Sequence, residues 1–493
     1  MYSSKNKYDA FYSRMHQIIK NSNFDCYVHY ETKHSYQEMY CNICKLNTTL
    51  EKFKNKKIAV ISEKSFEAYC SIYAILLTGN SWIPISHALP LNRVAGMIDL
   101  SEPDLVLFDE KLDKKITDYF VSKNIPLMNL LDLLKANEQT ELELPSFDKD
   151  QIAYIMFTSG SSGTPKGVPM THENYINFID NAMEIFPFKK GEVFSDYHDF
   201  GFDISIFYLF CCILTESAFA PARKTSEQIF FVDNLLKNKV TVWASIPSAL
   251  LRLKTLNKNR IANFPVKIMF MCGEPFRLDL LEYAFKGLGV QHVYNFYGLT
   301  ETGVENYYHK CSLDDLETYK NETAVPIGRP LPGNATMVSD DGELLLHGIQ
   351  ITPGYLGGIS GEKFLTIDGK RWFRTGDRVE KVGDVHFCKG RIDSQLKHRG
   401  YRVDLMDIES NIRKLSTVLE VICFQITSPL RDIIVAAVKA ETKIDLPMIK
   451  THLKELLPDY MHPDSVFPIS EMPLNKSGKI DRIAIKRMYE TNS

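Results

Sequence analysis

An alternation repeated along the first three hundred residues constrains the fold more than any other feature of the sequence. KKIAVIS (56–62) is a short β-rich run, FEAYCSIYAILLTG (66–79) has helical length, and SWIPIS (81–86) is β-rich again. Similar short apolar runs recur at PDLVLFD (103–109), VTVWASI (240–246) and VKIMFMCG (266–273). Strand–helix–strand spacing of this sort predicts an α/β protein whose sheets are mostly parallel and buried under helices.

After about residue 325 the texture changes. Strand and turn signals dominate in ATMVSDDGELLLHGIQITPGYLG (335–357), where Asp340-Asp341-Gly342 reads as a tight hairpin turn. The last hundred residues carry their own α/β pattern: a helix in DLMDIESNIRKL (404–415), a strand in DIIVAAVKA (432–440), and a helix in DLPMIKTHLKELLP (445–458), which starts on an acid and stops at proline. The expected organisation is a large N-terminal core over 1–391, with mostly parallel sheets flanked by helices plus a small β-rich subdomain. A small α/β C-terminal domain over 392–493 follows it.

Several function classes are disfavoured. A net charge of −3 argues against a nucleic-acid surface spread over the whole protein. The N-terminus is polar, without the apolar core of a secretory signal, and IFYLFCCIL (206–214) is far short of the ~20 residues that span a bilayer. Ten cysteines in 493 residues do not make a disulfide scaffold, and Cys41-Asn-Ile-Cys44 lacks the second pair a zinc site needs. The expectation is a reduced, soluble, cytoplasmic protein with neither membrane nor nucleic acid as partner.

Chemistry concentrates first in FTSGSSGTPKGVPMTHEN (157–174). This loop follows the expected strand QIAYIMFT (151–158) and precedes the helical segment HENYINFI (172–179). Thr158, Ser159, Ser161, Ser162 and Thr164 supply hydroxyls, and Gly160 and Gly163 let backbone N–H groups approach an anion. Lys166 adds a charged donor. The strict P-loop pattern fails, because Pro165 precedes the lysine and Gly167 follows it.

Further segments appear in order: NFYGLTETG (295–303), RWFRTGDRVE (371–380), CKGRIDSQLKHRGYRVDLMDIE (388–409) and PLNKSGKIDR (473–482). Together with the loop they resemble the adenylate-forming superfamily of acyl-CoA synthetases, luciferases and amino-acid adenylation domains of peptide synthetases. The resemblance covers nearly the whole chain, and GELLLHGIQITPGYLG (342–357) and LLTGNSWIPISHALPLNR (76–93) match elements of structural character.

The resemblance implies ATP and Mg2+ as cofactors and assigns roles residue by residue. Thr158, Ser159, Gly160 and Lys166 would hold the β- and γ-phosphates. Tyr297 would stack on adenine with Asn295 at its edge, Gly273, Glu274, Phe296 and Gly298 would line the nucleotide, and Thr300 would touch the α-phosphate. Glu301 would help hold Mg2+, since a carboxylate beside a triphosphate is repulsive unless a metal bridges them. Asp377 would accept both ribose hydroxyls. Arg391 would contact the nucleotide, Asp393 would be the hinge of a mobile C-terminal domain, and Gly400 would line the path of a thiol. Lys479 would be the catalytic lysine, because attack of one anion on another needs positive charge where the two meet. Leu299 stands where the family usually has proline.

DFGFDISIFYLF (199–210) resembles the segment whose aspartate pairs with an α-ammonium group, which puts Asp203 in that role. A buried cation needs a paired anion. The rest of the pocket is implied as Ile204, Phe207, Ala244, Phe270, Cys272, Phe296, Val304 and Glu305. Cys272 in MFMCGEPF resembles the D-alanine–carrier protein ligases. Three aromatic rings favour a small amino acid, while an inward-facing Glu305 would prefer a hydroxyl or cationic side chain. No carrier-like segment follows Arg482, so the implied acceptor is the phosphopantetheine arm of a separate carrier protein. The rival reading is an acyl- or aryl-CoA ligase, which shares the nucleotide motifs; Asp203 discriminates between the two.

Overall fold

A computed structural model describes residues 6–136, 138–158, 165–223, 227, 231–256, 261, 263–358, 361–392, 395–427, 432–473 and 480–492. The chain forms two compact units. One comprises Met1–His87, Leu100–Phe157 and Gly167–Gly390; the other comprises Ala88–Asp99, Thr158–Lys166 and Arg391–Ser493.

The first unit is built on two large sheets. In the nine-stranded one, Asp25–His29, Ala218–Pro221, Val193–Asp196, Val242–Ser245, Ile268–Met271 and His292–Tyr297 run parallel as neighbours. Antiparallel strands flank them: Thr32–Ser35 at one edge, Tyr307–Cys311 and then Arg329–Pro330 at the other. The six-stranded sheet runs Leu127–Asn129, Leu105–Phe108, Lys57–Ser62, Ser81–Ser86, Ile152–Thr158 and Lys166–Thr171. Its first five strands are mutually parallel. The central strands are apolar on both faces, as in IMFM (268–271) and VWAS (242–245), both buried throughout. Helix Ile204–Leu214 is apolar around its whole circumference and every residue in it is buried, as a helix enclosed by protein must be.

The glycine-rich loop does not lead directly into a helix. Lys166–Thr171 is a strand, and helix His172–Ile185 begins only after it. Thr171 caps that helix by accepting from the Asn174 N–H, while the Asn174 side chain accepts from the Thr171 N–H at 2.9 Å.

The β-rich segment is a five-stranded antiparallel sheet of Asn334–Val338, Glu343–Gly348, Lys370–Val382, Phe364–Ile367 and Val385–Arg391. Its first two strands are joined at the expected Asp-Asp-Gly turn, where Gly342 has φ +83°. The second unit packs helices Leu405–Ile412 and Leu446–Leu453 with the sheet of Val418–Ile426, Ile433–Ala440 and Ser465–Pro468 around a core that includes Val421, Ile434, Ile449 and Leu453. Among the described residues no helix is long and apolar enough to cross a membrane.

Candidate active site

Ligands of open α/β sheets bind beyond the carboxyl ends of the parallel strands. In the nine-stranded sheet four of those six ends are Tyr297, Met271, Ser245 and Asp196. The chain segments leaving them carry most of the residues singled out from the sequence.

Three hydrogen bonds between distant side chains organise this edge. Tyr297 donates its hydroxyl to Asp377 Oδ2 at 2.6 Å. Thr300 donates to Asp203 Oδ2 at 2.7 Å, and Tyr355 donates to Glu301 Oε1 at 2.8 Å. Burial first, and then the Asp377 charge, push the Tyr297 phenol well above its ordinary value, so it remains a donor at neutral pH.

Asp377 is 3% exposed and held from several sides. Its N–H donates to Thr375 Oγ1 at 3.0 Å, and Thr375 in turn donates to the Leu344 carbonyl at 2.7 Å. Gly376, at φ +75°, donates its N–H to Glu343 Oε1, and both Nε and Nη2 of Arg374 donate to Glu343 Oε2. The backbone that carries Asp377 is thereby held by a carboxylate that an arginine neutralises.

Asn295 is buried and donates Nδ2 to the Pro326 carbonyl at 2.9 Å. Its Oδ1 is buried with no hydrogen-bond partner among the described residues. An orphaned acceptor costs about 1–3 kcal/mol, which a ligand N–H placed there would recover.

The segment from Gly298 to Glu305 is tightly folded. A Cβ at Gly298 would lie 2.1 Å from the Val304 carbonyl oxygen, so no larger residue fits. Val304 holds φ +72°, a left-handed conformation that a β-branched residue adopts only under constraint. Gln350, fully buried, supplies that constraint by donating Nε2 to the carbonyls of Gly303 at 2.9 Å and Glu305 at 2.8 Å. The Thr352 N–H donates to the Glu301 carbonyl at 2.9 Å. Asn174, in the cap of the helix after the loop, donates to the carbonyls of Ile349 and Ile351 on either side of Gln350.

Of the residues expected around the amino acid, Phe207, Phe270 and Phe296 are brought into contact. Asp203 stands at the N-cap of helix Ile204–Leu214 but makes no capping bond, its carboxylate receiving Thr300 instead. Ala244 and Phe270 are register partners on adjacent strands, and the Cys272 thiol lies 3.7 Å from the Ser245 carbonyl. Phe207, Phe270 and Phe296 pack ring on ring, with centroids 4.9 Å apart for 207–270 and 270–296 and 5.8 Å apart for 207–296. Phe186 joins them at 4.9 Å from Phe270. Ile204, Val304 and Glu305 are all buried, Glu305 at 5% exposure.

Gly273 has φ +81° and sits where glycine is favoured. Glu274 is engaged structurally: Ser248, at the start of helix Pro247–Leu256, donates its N–H to Oε2 at 2.8 Å and its hydroxyl to Oε1 at 3.0 Å. A buried ion pair that the sequence did not disclose lies at the end of strand Val193–Asp196. Lys64 Nζ is 2.8 Å from Asp196 Oδ1, and Tyr69 donates to Asp196 Oδ2. His198, just beyond, is pushed down to about 3 by burial and by Lys64, so it stays neutral; its Nδ1 is 3.1 Å from the Tyr208 hydroxyl.

In the second unit, Thr158 ends one strand and Lys166 begins the next, both half-buried. Arg391 and Arg402 both donate to Gln395 Oε1, at 3.0 Å from Arg391 Nη2 and 2.7 Å from Arg402 Nη2. Arg399 and Gly400, at φ +53° and +83°, make the two-residue turn between Gln395–His398 and Tyr401–Asp404. His398 is fully buried, and Arg399 pairs with Asp464. Ser159, Gly160, Asp393 and Lys479 lie outside the described residues.

Comparison with known proteins bears on this geometry. The family model described as AMP-binding enzyme matches residues 16–356. A D-alanine–D-alanyl carrier protein ligase of Listeria welshimeri is 28% identical over 500 residues, spanning 95% of this chain and 96% of its own. The Vibrio cholerae adenylation domain AlmE, solved with glycyl-adenosine-5'-phosphate, superposes with a TM-score of 0.83 at 21% identity, covering 100% of this chain and 99% of that one. An o-succinylbenzoate CoA synthetase from Bacillus subtilis superposes with a TM-score of 0.81 at 17% identity, covering 96% and 98%. At such identities the two structures establish the fold, which an adenylation domain and a CoA synthetase share.

Proposed function

The chain belongs to the AMP-binding enzyme family, and from that premise we propose that it adenylates a small amino acid and passes the aminoacyl group to the thiol of a separate carrier protein. The observation that carries this reading is the Thr300–Asp203 hydrogen bond of 2.7 Å. It joins the residue assigned to the α-phosphate with the one assigned to the α-ammonium, and in an aminoacyl-adenylate those two groups flank the same carbonyl. A fatty-acid or aryl-acid pocket has no use for a carboxylate at that point.

In the first step the amino-acid carboxylate attacks the α-phosphorus of ATP, a P–O bond forms, and the bond to pyrophosphate breaks. Asp203 pairs with the ammonium group and orients the carboxylate. Asn295 Oδ1 accepts an adenine N–H, and Asp377 accepts the ribose hydroxyls. Phe207, Phe270 and Phe296 exclude water and leave room only for a short side chain, which supports glycine, alanine or a similar residue over a bulky one. Glu301, its orientation set by Tyr355, is a hard oxygen donor suited to Mg2+. Bound there, the metal would offset phosphate charge. Lys479 supplies the positive charge at the reacting centre on a C-terminal domain that pivots at Asp393, and Lys166 holds the leaving group. In the second step the carrier's phosphopantetheine thiol attacks the carbonyl, a thioester forms, and AMP leaves.

Amino-acid-dependent exchange of labelled pyrophosphate into ATP, run over a panel of L- and D-amino acids, tests the reading. Exchange with one or a few small amino acids supports it. Exchange only with fatty or aryl acids overturns it in favour of a CoA ligase. Lys479→Ala should abolish exchange yet spare thiol transfer from preformed adenylate; equal loss of both steps refutes its assignment.

A further inference from the structure

Among the described residues, two clusters outside this site bring three metal-capable side chains together: Glu63, His87 and Glu110, and His309, Cys311 and Asp315. In the first, His87 and Glu110 are exposed, with His87 Nε2 3.9 Å from Glu63 Oε1. The second is different in kind. One imidazole nitrogen, one sulfur and one carboxylate oxygen lie within 4.8 Å of one another, and Cys311 and Asp315 are 6% and 7% exposed.

The backbone explains the convergence. His309 and Cys311 are two apart on strand Tyr307–Cys311 and so share a face. Asp315 returns to them from the first position of the short helix Asp315–Thr318. Its Oδ2 accepts from the Ser312 N–H at 3.0 Å and lies 2.9 Å from His309 Nε2. The Tyr319 ring packs edge-on against the imidazole with centroids 6.1 Å apart. The imidazole and the carboxylate are thus each oriented by a second group, as metal ligands are.

We propose that His309, Cys311 and Asp315 bind a borderline transition-metal dication of the Zn2+ type, with water as fourth ligand. The donor set selects the metal: thiolate and imidazole suit Zn2+ and its neighbours, whereas Mg2+ and Ca2+ require oxygen. Metal–ligand bonds of about 2.0–2.3 Å in a tetrahedral site place the donors roughly 3.3–3.8 Å apart, so the side chains need move by only about 1 Å. On binding, the Cys311 S–H bond breaks, a sulfur–metal bond forms, and solvent takes the proton. The His309–Asp315 hydrogen bond is exchanged for two metal bonds. The metal would tie strand Tyr307–Cys311 to the short helix Asp315–Thr318 that follows it. The proposal does not depend on the assigned activity.

The full chain, stripped with chelator, is titrated with Co2+ in the absence of ATP and followed by absorption. The expected result is one equivalent bound, with a thiolate-to-cobalt charge-transfer band in the near ultraviolet and tetrahedral d–d bands, all displaced by Zn2+. Cys311→Ser should lose the charge-transfer band, and Asp315→Asn, which keeps the side-chain shape, should weaken binding at least tenfold. Absence of the band in the unmodified protein overturns the proposal whatever the variants do. So does a band that survives Cys311→Ser.

Discussion

Tyr12 and Tyr297 are both buried phenols whose hydroxyls reach partners far away in sequence, yet their surroundings differ in kind. Tyr12 lies 2.9 Å from His172 Nδ1 and 2.6 Å from the Tyr175 hydroxyl, and stacks on Phe147 at 3.9 Å between centroids. Each of those partners is aromatic, and the cluster sits inside the main hydrophobic core. Tyr297 ends instead on a carboxylate, at the carboxyl edge of a parallel sheet, one residue before a glycine that no side chain could replace. Burial of polar groups is therefore a poor marker of function by itself. What marks the second network is an anion fixed by further bonds, beside backbone that approaches too closely for a Cβ.

Substitutions at the two networks should separate cleanly. On the proposed reading Asp377→Asn removes two charge-assisted hydrogen bonds to the ribose, and steady-state exchange should show KM for ATP rising by about 4 kcal/mol, close to a thousandfold, with little change in melting temperature. A thermal collapse in place of a KM effect would place Tyr297–Asp377 with the structural networks.

The sealed network should answer to pH. Burial pushes His172 down to about 4, against 6.5 for a free imidazole. The unfolded chain binds more protons between those values, so this contribution to stability is complete above about pH 6.5 and lost as pH falls toward 4. It amounts to about 3 kcal/mol, and His172→Gln should flatten that part of the pH–stability curve measured by denaturant unfolding. Tyr12→Phe leaves the His172 and Tyr175 groups short of a partner and should lower stability by about 1–2 kcal/mol in the same assay. Its KM values should stay within about twofold of the parent, since surface and core changes away from a site act on folding. Smallest is Tyr355→Phe, which frees the orientation of Glu301; the Mg2+ concentration for half-maximal exchange should rise about fivefold, or about 1 kcal/mol.

The parts of this site readable in the sequence were those carried by short contiguous motifs. Asp203, Asn295, Tyr297, Thr300, Glu301 and Asp377 each sit within a few residues of a glycine or an acid that gives the motif its pattern. Their supports were not readable. Tyr355 meets Glu301 across 54 residues, Gln350 meets Gly303 across 47, and Lys64 meets Asp196 across 132. Such pairings are set by topology, and local periodicity carries no trace of them. Strand Lys166–Thr171 was missed for another reason: KGVPMT contains a glycine and a proline, which read as turn signals although the segment pairs at the end of a sheet. Alternating strands and helices were legible because buried parallel strands leave unbroken apolar runs.

A hydroxyl has a single proton to give, and Thr300 gives its own to Asp203. On the proposed reading, an incoming ammonium group takes over Asp203 and releases that proton toward the phosphate. The two substrates would then favour each other's entry through that one hydroxyl, the amino acid acting as the key that readies the enzyme for its nucleotide.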